Sequence, residues 1–292
     1  MSLFAVAGVS GHTGSVVAAT LLAHGHAVRV IVRDAAKGEP WKARGATVAV
    51  ADVENAAALS SALKGADGAY LLIPPNMTTG NMRAYQARAG ASLVKAVTDA
   101  AIPHVVFLSS TGAQEPAGTG PIAALHPVEN ALRDLPKTGA TFLRAAYFME
   151  NTQGSFGMLD QGIYPTFAPK DAAMPMIATK DIGEVAAGLL IEGAPAPGKP
   201  RIVELGSKPY SASDVAAGLS KLLGKTITVH EAPVASMTAT LSGYGMPADV
   251  AALYQEMTEG AMKGLVKFEG THRRAWGQVS LDAFLAAALP RK

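Results

Sequence analysis

Gly8-x-x-Gly11-x-x-Gly14, with Ser10, His12 and Thr13 between the glycines, is the first place in this chain where residue types and spacing could do chemistry. Glycine is needed where a chain turns tightly with positive φ, where backbone N–H groups approach a diphosphate, and where helix and strand pack with no Cβ between them. Phe4-Ala5-Val6-Ala7 before the glycines and Ser15-Val16-Val17 after them provide the strand and the helix that such a turn joins. The helix N-terminus adds partial positive charge. The expected chemistry is capture of a dinucleotide, with Gly8, Ser10, Gly11, His12, Thr13 and Gly14 as its holders.

About twenty positions after such glycines, the end of the second strand meets the adenosine ribose. Arg33 and Asp34 stand there, with Lys37 one helical turn on. An aspartate would bond the ribose hydroxyls of NAD, whereas an arginine would pair with the 2′-phosphate of NADP. The alternation of Val28 to Arg33 puts Arg33 at the carboxyl end of the strand, so NADP(H) is expected in preference to NAD(H); a solvated charge pair in a turn is the alternative. Asp52 and Val53 are expected at the adenine edge, although Asp52 could equally cap the helix near Asn55. Ile73, Pro74, Pro75 and Asn76 would run beside the ribose and diphosphate, with Ser109 at the end of the fifth strand.

On the acceptor side Ser110 and His126 are candidate catalytic groups, with Ser109 and Thr111 beside Ser110. Ser109 to Thr111 could instead cap a strand. Pro127 suits the first position of a helix, which would make His126 a neighbour of the N-cap, and Glu129 in the first turn would stabilise the helix dipole. No metal site is expected: His24-x-His26 has no partner ligands at useful spacing. Gly-x-Ser-x-Gly, the hydrolase elbow, does not occur.

The elements that must position these residues are legible as apolar runs alternating with amphipathic helices. Strands are expected over residues 3–7, 27–32, 48–51, 69–73, 105–109, 141–145 and 201–205, and helices over 14–24, 56–63, 82–101, 180–190 and 211–223, the last capped by Ser211 or Ser213. This is an α/β pattern, a doubly wound parallel sheet covered on both faces. Residues 1–150 are expected to form the dinucleotide-binding domain, with 177–206 returning to it. Residues 151–176 and 207–292 would form a smaller, mostly helical lobe over the carboxyl ends of the strands, apolar and open with Met158, Met174, Met176, Met237 and Met246.

Composition narrows the function classes. With 292 residues the chain can bury a full core, and its net charge of +2 gives little support for nucleic-acid binding. It has no cysteine, hence no disulfide, thiolate nucleophile or iron–sulfur centre, which is compatible with a cytoplasmic location. No signal peptide and no membrane span are expected. A monomer and a homodimer both suit it.

Gly8-x-x-Gly11-x-x-Gly14, Val30-Ile31-Val32-Arg33-Asp34, residues 65–75 (GADGAYLLIPP), residues 105–113 (VVFLSSTGA), residues 143–151 (LRAAYFMEN) and Ala178-Thr179-Lys180-Asp181-Ile182 follow one another in order. The series resembles the NmrA-like family, atypical relatives of the short-chain dehydrogenases and reductases. The resemblance covers nearly the whole chain, and Gly243-Tyr244-Gly245-Met246-Pro247 looks like the azo- and quinone-reductase branch. It implies NAD(P)H and one of two activities: reduction of a quinone, azo dye or similar conjugated acceptor, or non-catalytic sensing of the nucleotide through a protein partner. It also implies that the substrate cleft opens after the sixth strand, which makes Tyr147 a candidate catalytic group with Phe148 and Asn151 lining the cleft beside it. Typical dehydrogenases of this superfamily use Tyr-x-x-x-Lys, which occurs nowhere here; Pro121 and Leu125 stand where the pair would be. Reducing a carbonyl to an alkoxide needs a positioned acid, which contributes about 10²–10⁴-fold. A quinone gives a delocalised phenolate with a pKa near that of tyrosine, about 10, which water can protonate. The missing pair therefore favours a conjugated acceptor.

Overall fold

The computed structural model describes residues 1–289. Eight strands form one parallel sheet: β1 (Leu3–Ala7), β2 (Ala27–Val32), β3 (Thr47–Val50), β4 (Gly68–Leu71), β5 (His104–Ser110), β6 (Gly139–Ala145), β7 (Arg201–Gly206) and β8 (Arg273–Trp276). Their order is β8-β7-β6-β5-β4-β1-β2-β3, and every pairing is parallel. The order reverses between β1 and β4, so a crevice opens at their carboxyl ends, the place where doubly wound folds bind ligands.

Both faces of the sheet are covered, which is why its central strands are apolar throughout. On one face Val6, Val30 and Leu143 pack with Val17 and Leu21 of α1 (His12–Ala23) and Ile182 and Leu190 of a later helix, Thr179–Glu192. On the other, Ala5, Phe107 and Phe142 pack with Leu63 of α2 (Ala56–Leu63), Leu93 and Val97 of α3 (Met82–Ala100) and Leu132 of α4 (Leu125–Arg133). Thr179–Glu192 is then α5. Asn55 caps α2 by accepting from Ala58 N at 3.1 Å, and Asn81 caps α3 by accepting from Ala84 N at 2.9 Å. Of the two serines expected to cap α6 (Ala212–Leu223), Ser211 does so, in a capping box with Asp214.

Residues beyond Tyr147 depart from the sequence expectation in three ways. Residues 151–176, assigned to a mostly helical lobe, contain most of a 3-10 run (Met149–Gln161), the short strand Ile163–Thr166 and most of the strand Met174–Ile177. Ile163–Thr166 pairs with Thr228–Glu231, and together with α6 and α9 (Leu281–Ala288) they enclose a second core around Met149, Tyr164, Leu219 and Leu285. The lobe is thus a mixed structure, with α7 (Met237–Gly243) and α8 (Ala248–Met262) as a separate helical pair. Finally, Arg273–Trp276 leaves the lobe and joins the main sheet as its outer strand, paired with β7. The last three residues assigned to the lobe lie outside the described residues.

His104 opens β5 at the amino end of the sheet, far along the strand from the crevice; it is 2% exposed and its ring nitrogen Nε2 lies 3.2 Å from Thr141 Oγ1. Burial, with Arg201 adding to it, pushes its pKa down to about 4 from 6.5. Between those values the unfolded chain binds a proton that the native state refuses, so stability rises with pH across that window. It is complete above pH 6.5 and lost progressively as the pH falls toward 4, up to about 3 kcal/mol. Denaturant titrations at pH 4.5 and 7.5 should show this loss, and His104→Gln should shrink the difference between the two.

Candidate functional site

The glycine turn takes up the geometry expected of a phosphate loop. Gly8 has φ +71° and its carbonyl accepts from Gly11 N at 2.9 Å, closing the turn. Gly14 lies against the end of β1: a Cβ there would stand 2.6 Å from the Gly8 carbonyl carbon and closer still to the Ala7 oxygen. No side chain caps the N-terminus of α1, so its first N–H groups have no side-chain acceptor, and Ser10, Gly11 and His12 are exposed around them. Thr13 is turned the other way, buried with its Oγ1 accepting from the Tyr70 hydroxyl at 2.9 Å.

A cleft of about 140 Å³ continues from this turn between the ends of β1, β2, β3 and β4. Of the expected dinucleotide holders, Gly8, Ser10, Arg33, Asp52, Val53, Pro74 and Asn76 line it; Glu54 and Tyr85, not singled out from sequence, line it too. Ile73, Pro75, Lys37 and Ser109 are not in its wall. Arg33 is exposed at its mouth, whereas the Asp34 carboxylate caps the turn Ala35–Gly38 by accepting from Ala36 N at 3.0 Å, with Lys37 exposed beside it. Asp52 does not cap α2: its Oδ1 accepts from Glu54 N at 2.9 Å, leaving the cap to Asn55. The Tyr85 hydroxyl donates to the Pro74 carbonyl at 3.0 Å, and burial, with Glu54 and Asp52 nearby, holds its pKa above the ordinary phenol value.

At the ends of β5 and β6 the structure corrects two expectations. Glu129 is not a solvated charge on a helix dipole. Its side chain is 5% exposed and bonds both Arg144 Nε (3.0 Å) and an Arg144 terminal nitrogen (2.6 Å), while Ser109 Oγ donates to it at 2.5 Å. Arg144 also pairs with Glu269, which meets His272 at 3.0 Å. Ser109 therefore turns its hydroxyl into the protein and away from the cleft. Likewise His126 is no N-cap neighbour: a 3-10 turn (Gly120–Ala124) runs directly into α4, putting His126 inside the first turn, where its Nδ1 lies 3.0 Å from the Ala113 carbonyl. That contact makes Nδ1 the protonated nitrogen and leaves Nε2 as an acceptor. Ser110 donates to the Thr111 carbonyl at 3.0 Å and is half-buried.

Tyr147, just past β6, is 38% exposed. Burial around its hydroxyl, with the Tyr254 phenol adding to it, pushes its pKa up to about 12 against the opposing hydrogen bond of Asn151. The Tyr254 hydroxyl donates to Met77 Sδ at 3.4 Å. Tyr164 lies in the second core, so of these three tyrosines Tyr147 is the exposed one. Met246 packs beside Met77 and Tyr254, whereas Met176 is core and Met174 packs on it, so the methionine-lined surface is smaller than expected. Tyr164, Tyr254 and Met77 went unnoticed in sequence because their strand, helix and loop are brought together only by tertiary packing.

Known proteins match this architecture over almost its whole length. The chain is 28% identical over 268 residues to quinone oxidoreductase 2 of Escherichia coli, covering 90% of this chain and 89% of that one. It is 25% identical over 256 residues to the NAD(P)H azoreductase of Xenophilus azovorans, covering 86% and 85%. The crystal structure of an NADPH-dependent quinone oxidoreductase from Escherichia coli, complexed with NADPH, superposes with a TM-score of 0.82 at 25% identity, covering 97% of this chain and 99% of that one. Since the profile of the NmrA-like family also matches residues 1–274, taking in the glycine turn and the first seven strands of the sheet, the chain belongs to the NmrA-like family.

Proposed function

We propose that this protein is an NADPH-dependent reductase that passes hydride to a quinone or similar conjugated acceptor held beside Tyr147. The observation that carries this reading is an uncapped glycine turn at the carboxyl end of a parallel sheet, with Tyr147 exposed just past β6 at the same end and no Tyr-x-x-x-Lys in the sequence. Relatives that act on quinones and azo compounds with a nicotinamide cofactor support it.

The residues fit the dinucleotide. The free N–H groups opening α1 suit the diphosphate, and only glycine at position 14 lets the helix lie this close to β1. Asp34 is engaged as a cap, while Arg33 is free to face a 2′-phosphate. A charge-assisted bond of that kind contributes about 1.5–3 kcal/mol, or roughly ten- to hundredfold. Arg33→Ser should therefore weaken NADPH binding by that factor and leave NADH unchanged, as read by calorimetric titration of both nucleotides. Equal binding of the two by the unaltered protein would remove the preference.

When bound, the nicotinamide supplies a hydride, and the acceptor takes a further proton from water. Tyr147 stays protonated at neutral pH, so it donates a hydrogen bond to the acceptor oxygen as charge develops there. Its pKa lies above that of a hydroquinone, about 10, so the proton remains on the tyrosine. His126, whose Nδ1 is held by the Ala113 carbonyl, would offer Nε2 as an acceptor to a water beside the substrate. Steady-state NADPH oxidation with a panel of quinones tests the reading: turnover supports it, and tight NADPH binding without turnover on any acceptor would favour a nucleotide-sensing regulator.

A further inference from the structure

Residues 72–81 lead from the end of β4 to α3, and Pro74 and Asn76 among them line the nucleotide cleft. Helix α8, distant in sequence, grips this loop from outside. Its Asp249 carboxylate accepts from Met82 N, the first amide of α3, at 2.8 Å, a cap added to the one that Asn81 supplies at Ala84 N. The Tyr254 hydroxyl reaches Met77, the residue after Asn76, at 3.4 Å. Glu256 takes Arg83 with one oxygen at 2.6 Å and the Gly118 amide with the other at 3.1 Å, so the loops after β4 and β5 share one carboxylate. Beneath these contacts Met82, Val250 and Leu253 form a small core. The fit is close on the β5 side too, since a Cβ on Gly260 would overlap the Gly118 oxygen and one on Gly120 the Leu253 oxygen.

From Met82 the path back to the cleft is short. Tyr85, one helical turn on, lines the cleft and donates its hydroxyl to the Pro74 carbonyl at 3.0 Å. Among the described residues, none of α8 lines the cleft itself. Resting on the nucleotide half of the reading above, we infer that Asp249 is a positioning residue for the nucleotide, acting through Met82 and Tyr85 to hold residues 74–76 where they form the cleft wall. Without its carboxylate the first α3 amide loses this acceptor, and the loop populates other arrangements. A nucleotide that binds one arrangement loses affinity in proportion to the fraction of molecules that have it. Linkage makes the coupling reciprocal, so bound nucleotide tightens the α8 contact by the same factor.

Calorimetric titration with NADPH compares Asp249→Ala, Asp249→Asn and Leu219→Ala. We expect Asp249→Ala to bind about tenfold more weakly, and Asp249→Asn, which keeps an acceptor for Met82 N, to stay within about threefold of the unaltered protein. Leu219 is fully buried in the second core, away from these contacts, and its truncation removes more packing. It should lower the melting temperature more than Asp249→Ala does and leave NADPH affinity unchanged. Hydrogen exchange followed by mass spectrometry reads the reverse direction: saturating NADP should slow exchange in peptides of α8 but not of α6, and Asp249→Ala should abolish the slowing. NADPH binding by Asp249→Ala as tight as that of the unaltered protein overturns the inference. So does an equal loss in Leu219→Ala, because general stability would then be responsible, and so does an Asp249→Asn no better than Asp249→Ala. If the unaltered protein binds no nucleotide, the nucleotide reading fails first and the inference falls with it.

Discussion

Gly14→Ala is expected to cost at least about 100-fold in NADPH affinity, equivalent to about 2.7 kcal/mol. The added Cβ would meet the Ala7 oxygen and the Gly8 carbonyl carbon and oxygen, the last two at 2.6 Å. All three are backbone atoms, so no side-chain rotation relieves the overlap. Either α1 moves outward from β1 or the Gly8 turn opens, and both carry the uncapped N–H groups away from where a diphosphate would lie. Overpacking of this kind also destabilises the fold by about 1–3 kcal/mol. Calorimetric titration with NADPH, run beside a thermal melt, separates the two effects. Gly154→Ala serves as the comparison, because a Cβ there meets nothing within 4 Å. NADPH binding by Gly14→Ala within threefold of the unaltered protein would show that the turn does not hold the nucleotide.

The parallel sheet and the glycine turn were legible because their signals are local. A strand buried on both faces is an apolar run, and a glycine turn between such a run and a helix has few other uses. Arg273–Trp276 hid because an edge strand needs no apolar run: Arg273 and Trp276 are exposed, and the segment reads as a basic cluster. The 3-10 run Met149–Gln161 hid because its period is neither that of a helix nor that of a strand. The surroundings of Tyr147 are harder still: the end of its strand places it, but Tyr164 in the second core and Tyr254 beside Met77 come from segments whose positions only tertiary packing determines.

One signal was present and went unused. Arg144 sits in a seven-residue strand that is buried throughout, and a guanidinium in such a place requires a carboxylate. Glu129 was at hand, on the next helix back in the chain, but its position in a first helical turn offered an easier explanation. The structure shows that the pair ties the end of β5, through Ser109, to α4 and β6.

That pair carries the second large effect, and its two halves should not cost the same. Arg144→Met leaves the Glu129 carboxylate buried with Ser109 as its one remaining side-chain donor, so a loss of about 3–5 kcal/mol is expected. Glu129→Gln leaves Arg144 still paired with Glu269, and a glutamine can still accept from Ser109, which places its cost at or below the low end of that range. Removing both charges, in Glu129→Gln/Arg144→Met, takes away the uncompensated carboxylate and should be less damaging than Arg144→Met alone. Denaturant titrations of the four proteins at pH 7.5 read the cycle directly. Strict additivity, with the double variant the least stable of the set, would mean that the two side chains contribute independently and that the buried network is not a unit. The expected order, with Arg144→Met lowest, would instead assign the cost to an unpaired buried charge.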